Sequence, residues 1–145
     1  MQYKRYGEKI VLRLDVGDEI AESICGVAEK ERVFAAEVTG IGATDEFLAG
    51  VFDRTKGKYD EFNYRGDYEI ISLIGNITRF QGKPYVHLHI SCADSTGKVV
   101  GGHLLKGRIS LTSEIVINVI SGKIGRKRDD ALKINLWEFT EEKSY

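Results

Sequence analysis

The stretch PYVHLHISCADSTGKVVGGHLL, residues 84–105, decides the fold. Two runs rich in β-branched and apolar residues flank Asp94-Ser95-Thr96-Gly97-Lys98, a cluster of turn-forming residues, so the stretch reads as a β-hairpin. In a strand, residues two apart share a face. His87 and His89 therefore point one way, while Val86, Leu88, Ile90 and Cys92 point the other, toward an apolar core. A three-residue loop, Ser95-Thr96-Gly97 with Gly97 at positive φ, is a common hairpin closure. It pairs Asp94 with Lys98 and, counting back, His89 with His103. A loop one residue shorter or longer puts His103 on the opposite face instead.

That register matters because the chain has three histidines and all fall within these 17 residues, His87 to His103. Directly opposed residues have Cβ atoms about 5 Å apart, a span that imidazoles can bridge around one ion. Three neutral imidazoles on neighbouring strands, with an open fourth position, match in type the three-histidine zinc arrangement of carbonic anhydrase. The expected ligands are His87, His89 and His103, and the expected ion is divalent: zinc first, with iron or nickel as alternatives. The competing reading has the histidines hydrogen-bonded to backbone or carboxylates, or exposed on a sheet face. Cys92, on the opposite face, is excluded as a fourth ligand. Asp94 caps the turn and Ser91 is the next residue along the histidine face, so neither is an obvious catalytic base. Metal binding is better supported than catalysis; the catalytic residues stay unassigned and enzymatic activity is an open question.

Outward from the hairpin, residues 9–14 (KIVLRL) alternate with period two. FAAEVTGIGA, DEFLAGVFD, YEIISLIGNITRF, ISLTSEIVINVI and ALKINLWEF also read as strands, separated by short Gly-, Asp- or Lys-rich turns. One segment has helical spacing instead: Ile20, Ile24, Val27 and Ala28, with Asp18 as the expected N-cap and Lys30 and Arg32 near the end. Strands that follow one another without intervening helices predict an α+β fold, an antiparallel sheet of about seven strands with one main helix. No linker or repeat interrupts the pattern, so residues 1–145 are expected to form one domain.

Composition narrows the partners. The formal net charge is −1, so no global basic field attracts nucleic acid or anionic lipid. No apolar run approaches the ~20 residues of a membrane span. MQYKRYGEKIVL lacks the apolar stretch of a signal peptide, and a cytoplasmic location is expected, with Cys25 and Cys92 as reduced thiols. The local basic candidate is Lys123, Arg126, Lys127 and Arg128, followed at once by Asp129 and Asp130; a solvated hairpin tip is favoured over a phosphate-contacting patch. Gly40-Ile41-Gly42 lacks the third glycine and the βαβ context of a dinucleotide fingerprint. A cupin, which also carries a His-x-His strand, normally adds a nearby glutamate ligand and a more distant histidine, whereas His103 belongs to the adjoining strand.

Five motifs occur in order: Thr39-Gly40-Ile41-Gly42-Ala43, Tyr68-Glu69-Ile70-Ile71-Ser72-Leu73-Ile74-Gly75-Asn76-Ile77, His87-Leu88-His89, Gly101-Gly102-His103-Leu104 and Ser113-Glu114-Ile115-Val116-Ile117. Over roughly residues 5–140 the chain resembles the plants-and-prokaryotes-conserved (PPC) domain, also described as a predicted DNA-binding family with a PD1-like motif. The resemblance implies a homotrimer of antiparallel sheets and histidines at metal-binding positions in free-standing prokaryotic members. It also brings a DNA-binding label, although the Arg-Gly-Arg-Pro core of the plant AT-hook is missing and the only proline is Pro84. Gly66-Asp67-Tyr68-Glu69-Ile70-Ile71 resembles the plant segment implicated in partner-protein contacts, with Asp67 in place of arginine; ordinary strand and core roles are favoured for these residues. A small-molecule ligand at the metal is the further partner considered.

Overall fold

The computed structural model describes residues 1–139, so the last six residues of the expected single domain lie outside the described ones. The fold is α+β. Strands β1 (Gln2–Tyr6) and β2 (Lys9–Asp15) precede helix α1 (Ile20–Lys30). Then come β3 (Ala36–Asp53), β4 (Lys58–Phe80), β5 (Lys83–Ala93), β6 (Val99–Val119), β7 (Gly125–Asp129) and β8 (Ile134–Glu138). All eight strands join one sheet, antiparallel apart from a single parallel bridge between Arg79 and Gly125.

The strand count differs from the expected seven for identifiable reasons. FAAEVTGIGA and DEFLAGVFD form one strand, β3, because register shifts at Gly40/Gly42 and Thr44/Glu46 absorb the apparent break as bulges. Likewise VVGGHLL and ISLTSEIVINVI merge into β6. β1 and β7, polar and charged, carried no apolar alternation and were not expected. β6 is long enough to serve two neighbourhoods: its first residues pair with β5, while its remainder pairs with β3 and β2. With β3·β4 and β4·β5 paired as well, strands β3 to β6 close into a ring of pairings, and β5 packs into place on the histidine side.

The core follows strand parity. Ile10, Leu12 and Leu14 of β2, Ile115 and Ile117 of β6, Leu73 and Ile77 of β4, and Leu88, Ile90 and Cys92 of β5 are all buried. Helix α1 closes this face with Ile20, Ile24, Val27 and Ala28, the four residues its spacing selected. Fully burying each large aliphatic side chain stabilises the fold by roughly 1.5–3 kcal/mol. Its N-cap is Glu19 rather than the expected Asp18. The Asp18 carboxylate is taken by the Asp15 amide and the N-terminal ammonium, whereas Glu19 Oε2 accepts from Glu22 N–H and Oε1 from Gly107 N–H. Arg32 lies beyond the helix, at φ 53°.

The opposite face is laid out in cross-strand rows. One runs Val11, Val116, Thr39, Ile74, His89, His103, each the Cα partner of the next. The row beside it runs Asn118, Glu37, Asn76, His87. The histidines thus stand at the end of an apolar stripe, not in isolation.

Candidate metal centre

The hairpin register is the one that a three-residue loop dictates. Asp94 N–H donates to Lys98 O at 3.0 Å, Gly97 N–H donates to Asp94 O at 2.9 Å, and Gly97 sits at φ 79°. Asp94 Oδ1 accepts from Thr96 N–H, Thr96 Oγ1 and Lys98 N–H, an arrangement that fixes the loop and holds the Asp94 carboxyl below its usual range. His89 is the Cα partner of His103. Ring centroids lie 5.3 Å apart for His87 and His89, 4.9 Å for His87 and His103, and 5.7 Å for His89 and His103. One nitrogen from each ring falls within 4.8 Å of the others. Nitrogens about 2.1 Å from a shared tetrahedral ion stand about 3.4 Å apart, so modest side-chain rotation suffices to close the set.

Gly101, where a Cβ would collide with the Ile90 carbonyl, lets β6 lie tightly against β5, and β4 is admitted on the other edge of β5 by Gly75. A Cβ there would collide with the backbone carbonyl of His87, so only glycine lets β4 lie so tightly against β5 at this point. On the other side, Tyr59 stacks on His103 with centroids 4.6 Å apart and planes 16° apart, fixing one ring of the three. Sequence reading missed Tyr59, and the only local hint was an aromatic within a polar run, KYDEFNY.

The electrostatics favour neutral imidazoles. Burial pushes His103 down to about 4, with smaller contributions from the positive forms of His87 and His89. Burial also lowers His87, followed by the nearby Arg126 guanidinium and His89. Neutral rings keep the lone pairs that ligation needs. His103 Nδ1 is buried with no hydrogen-bond partner among the described residues, an uncommon state for a polar atom. The three side chains therefore fit a divalent ion: each offers an imidazole nitrogen to one shared point, and the His103 ring keeps a buried Nδ1 with no partner among the described residues. Cys92 faces the core, and its thiol is raised to about 12 by burial, consistent with its exclusion as a ligand.

The basic segment is arranged differently from the expected hairpin tip. Arg126, Lys127 and Arg128 lie in strand β7, Lys123 precedes it, and the tip lies beyond at residues 130–133. Arg126 folds back onto the sheet: Nε donates to Thr78 Oγ1 at 2.7 Å, Nη1 to Asn135 O at 2.8 Å and Nη2 to Asn76 Oδ1 at 2.9 Å. Its guanidinium carbon lies 4.3 Å from the Tyr85 ring centroid. Lys123 Nζ stands 5.1 Å from the Phe34 ring centroid, and Lys127 and Arg128 are exposed. In Gly66–Ile71, Ile70 is buried and Tyr68 packs edge-on against Phe47. Asp67 and Glu69 are exposed beside a surface groove, and Ile71 is exposed on the outer sheet face. Among the described residues no helix is long and apolar enough to cross a membrane.

Comparison with solved structures supports the same frame. A proposed DNA-binding protein of Bacteroides thetaiotaomicron superposes with a TM-score of 0.92 at 28% identity, covering 95% of this chain and 96% of the other. A plant- and prokaryote-conserved protein of Pyrococcus horikoshii gives 0.84 at 31% identity, over 97% and 96%. A metal-containing protein of Archaeoglobus fulgidus gives 0.84 at 27% identity, over 96% and 99%. No curated protein sequence matches. The model of the Plants and Prokaryotes Conserved (PCC) domain matches residues 1–121, which include all three histidines, and the chain belongs to that family.

Proposed function

We propose that this protein binds a divalent metal ion through His87, His89 and His103 and acts on, or holds, a small molecule at that ion. The carrying observation is the convergence of three imidazoles on one face, with a buried His103 Nδ1 that nothing among the described residues satisfies. Zinc suits an all-imidazole set, and iron and nickel are the alternatives. Such an ion, when bound, makes a ligated water more acidic and polarises a carbonyl. The protein's own part is to hold three neutral rings in place, through the β5–β6 register and the Tyr59 stack. The metal-containing description of the Archaeoglobus neighbour is in keeping with this reading. Metal analysis of the purified protein tests it: about one ion per chain in the wild type and none in His89→Ala is the expected result.

The homotrimer that the family resemblance implies belongs to the same proposal. Val11, Ile41, Ile71, Ile74 and Val116 leave an apolar patch on the outer sheet face, contiguous with His89. Such patches on soluble proteins mark association surfaces. Sedimentation equilibrium at three times the 16.3 kDa of one chain is expected, and a monomer would rule it out.

A second reading, a DNA-binding module, is favoured by the description of the Bacteroides neighbour and by the exposed Lys127 and Arg128. The net charge of −1 and the engagement of Arg126 weigh against it. Loss of all DNA retention even at low ionic strength would remove it.

A further inference from the structure

Four residues beyond the family-matched segment, the β7 strand carries a cation to the edge of the histidine site. Asn76 and His87 are directly paired across β4 and β5, and Arg126 Nη2 donates to Asn76 Oδ1. The guanidinium is held at four points, by Thr78, Asn76, Asn135 O and the face of Tyr85, so its position is set before any ligand arrives. Three of its five N–H groups are used, which leaves one on each terminal nitrogen. The groove alongside, of ≈ 410 Å³, is lined by Glu37, Ile74, Asn76, His87 and His89 among others, and Arg126 borders it through its hydrogen bond to Asn76 rather than lining it.

This arrangement poses a problem of charge. Three neutral imidazoles donate lone pairs but carry no charge to offset a dication, and the Arg126 guanidinium adds a further positive charge close enough to act on His87. No Asp or Glu joins the histidine cluster among the described residues. Glu37 is exposed, hydrogen-bonded by Asn118 Nδ2 at 3.4 Å, and stands two strands from His87 on the same row, roughly 10 Å between backbones. An anion from solution that reaches both the ion and the guanidinium resolves the imbalance. The planar fork of arginine suits a carboxylate. Across the groove, Glu37 repels a second negative charge, which disfavours dianions such as phosphate.

We infer that the groove beside His87 and His89 binds a small monocarboxylate, with Arg126 as its counter-cation and Glu37 as the group that rejects more highly charged anions. This rests on the metal reading above. The test uses protein loaded with Co(II), whose visible spectrum reports the ligands of the ion, titrated with acetate. Arg126→Gln is expected to weaken acetate binding by about tenfold or more, the worth of a charge-assisted hydrogen bond, with cobalt content unchanged. Arg126→Lys keeps a charge over Tyr85 and so guards against detachment of the hairpin in the glutamine variant, and a loss of a few fold is expected from the missing fork. Wild-type acetate affinity in both variants, or no spectral response to acetate in the wild type, overturns the inference. Inorganic phosphate is expected to bind no more tightly than acetate, and Glu37→Gln to raise phosphate relative to acetate; tighter phosphate in the wild type, or an unchanged ratio in the variant, overturns the carboxylate assignment. A wild type that takes up no cobalt sinks the metal reading and this one with it, whereas full loading with Arg126-independent acetate binding sinks this one alone.

Discussion

The β5–β6 and β7–β8 hairpins each concentrate one residue type, and the two clusters have opposite fates. The histidines of β5 and β6 converge because a local rule sets them: strand parity puts His87 and His89 on one face, and the Asp94–Lys98 loop sets His103 opposite His89. The basic residues of β7 disperse because tertiary contacts sort them. Arg126 turns inward onto Thr78, Asn76 and Tyr85, while Lys127 and Arg128 stay in solvent. Clustering in sequence predicts a site only where a rule of short range carries it into space.

The largest effects should come from breaking the histidine register. Deleting Thr96 shortens the loop by one residue, removes two of the contacts to Asp94 and shifts the pairing so that His103 faces away. Metal affinity, measured by competition with a chromophoric chelator, should fall by more than the roughly 10–100-fold that loss of a supporting residue costs. Equal affinity would mean that His103 is not a ligand. His103→Ala should do the same while leaving the loop intact.

A pH titration of metal-free protein sharpens the comparison next. The His103 pKa is about 4 in the fold against an ordinary 6.5, so the unfolded chain binds more protons between those values. Stability from this residue is full above about pH 6.5 and is lost as pH falls toward 4, by on the order of 2–3 kcal/mol. Chemical denaturation across that window should show the decline, and His103→Asn should flatten it.

On the basic side the effects are smaller and should split by residue. Arg126→Ala removes the donors to the buried Thr78 hydroxyl oxygen and to the Asn76 carbonyl, at a cost of about 2 kcal/mol by urea denaturation. The double variant Lys127→Ala, Arg128→Ala should change stability by no more than about 0.5 kcal/mol. Equal costs for the two would mean that the inward turn of Arg126 contributes nothing.

What was legible in the sequence follows the same division. Period-two alternation located Leu88, Ile90 and Cys92 in the core, and helical spacing picked out Ile20, Ile24, Val27 and Ala28. Gly97 revealed the loop because a positive φ has few other occupants. Less accessible was anything decided by partners distant in the chain. Asp18 is the better cap by residue type, and only the N-terminal ammonium that claims it and the Gly107 N–H that holds Glu19 hand the role to Glu19. Tyr59 reaches His103 only because β3 and β4 bring Gly50 and residues near it alongside β6. The continuity of β3 and β6 across their glycines was hidden because a bulge and a turn share the same residue types.

The central claim, that the hairpin register builds a metal site, is tested most directly by elemental analysis of wild type, His89→Ala and His103→Ala purified without chelator and matched for folding by circular dichroism. About one zinc, iron or nickel ion per chain in the wild type, and less than a tenth of that in both variants, is the predicted result. A folded wild type that carries no metal and takes none up from solution, or variants that retain the full complement, would contradict it.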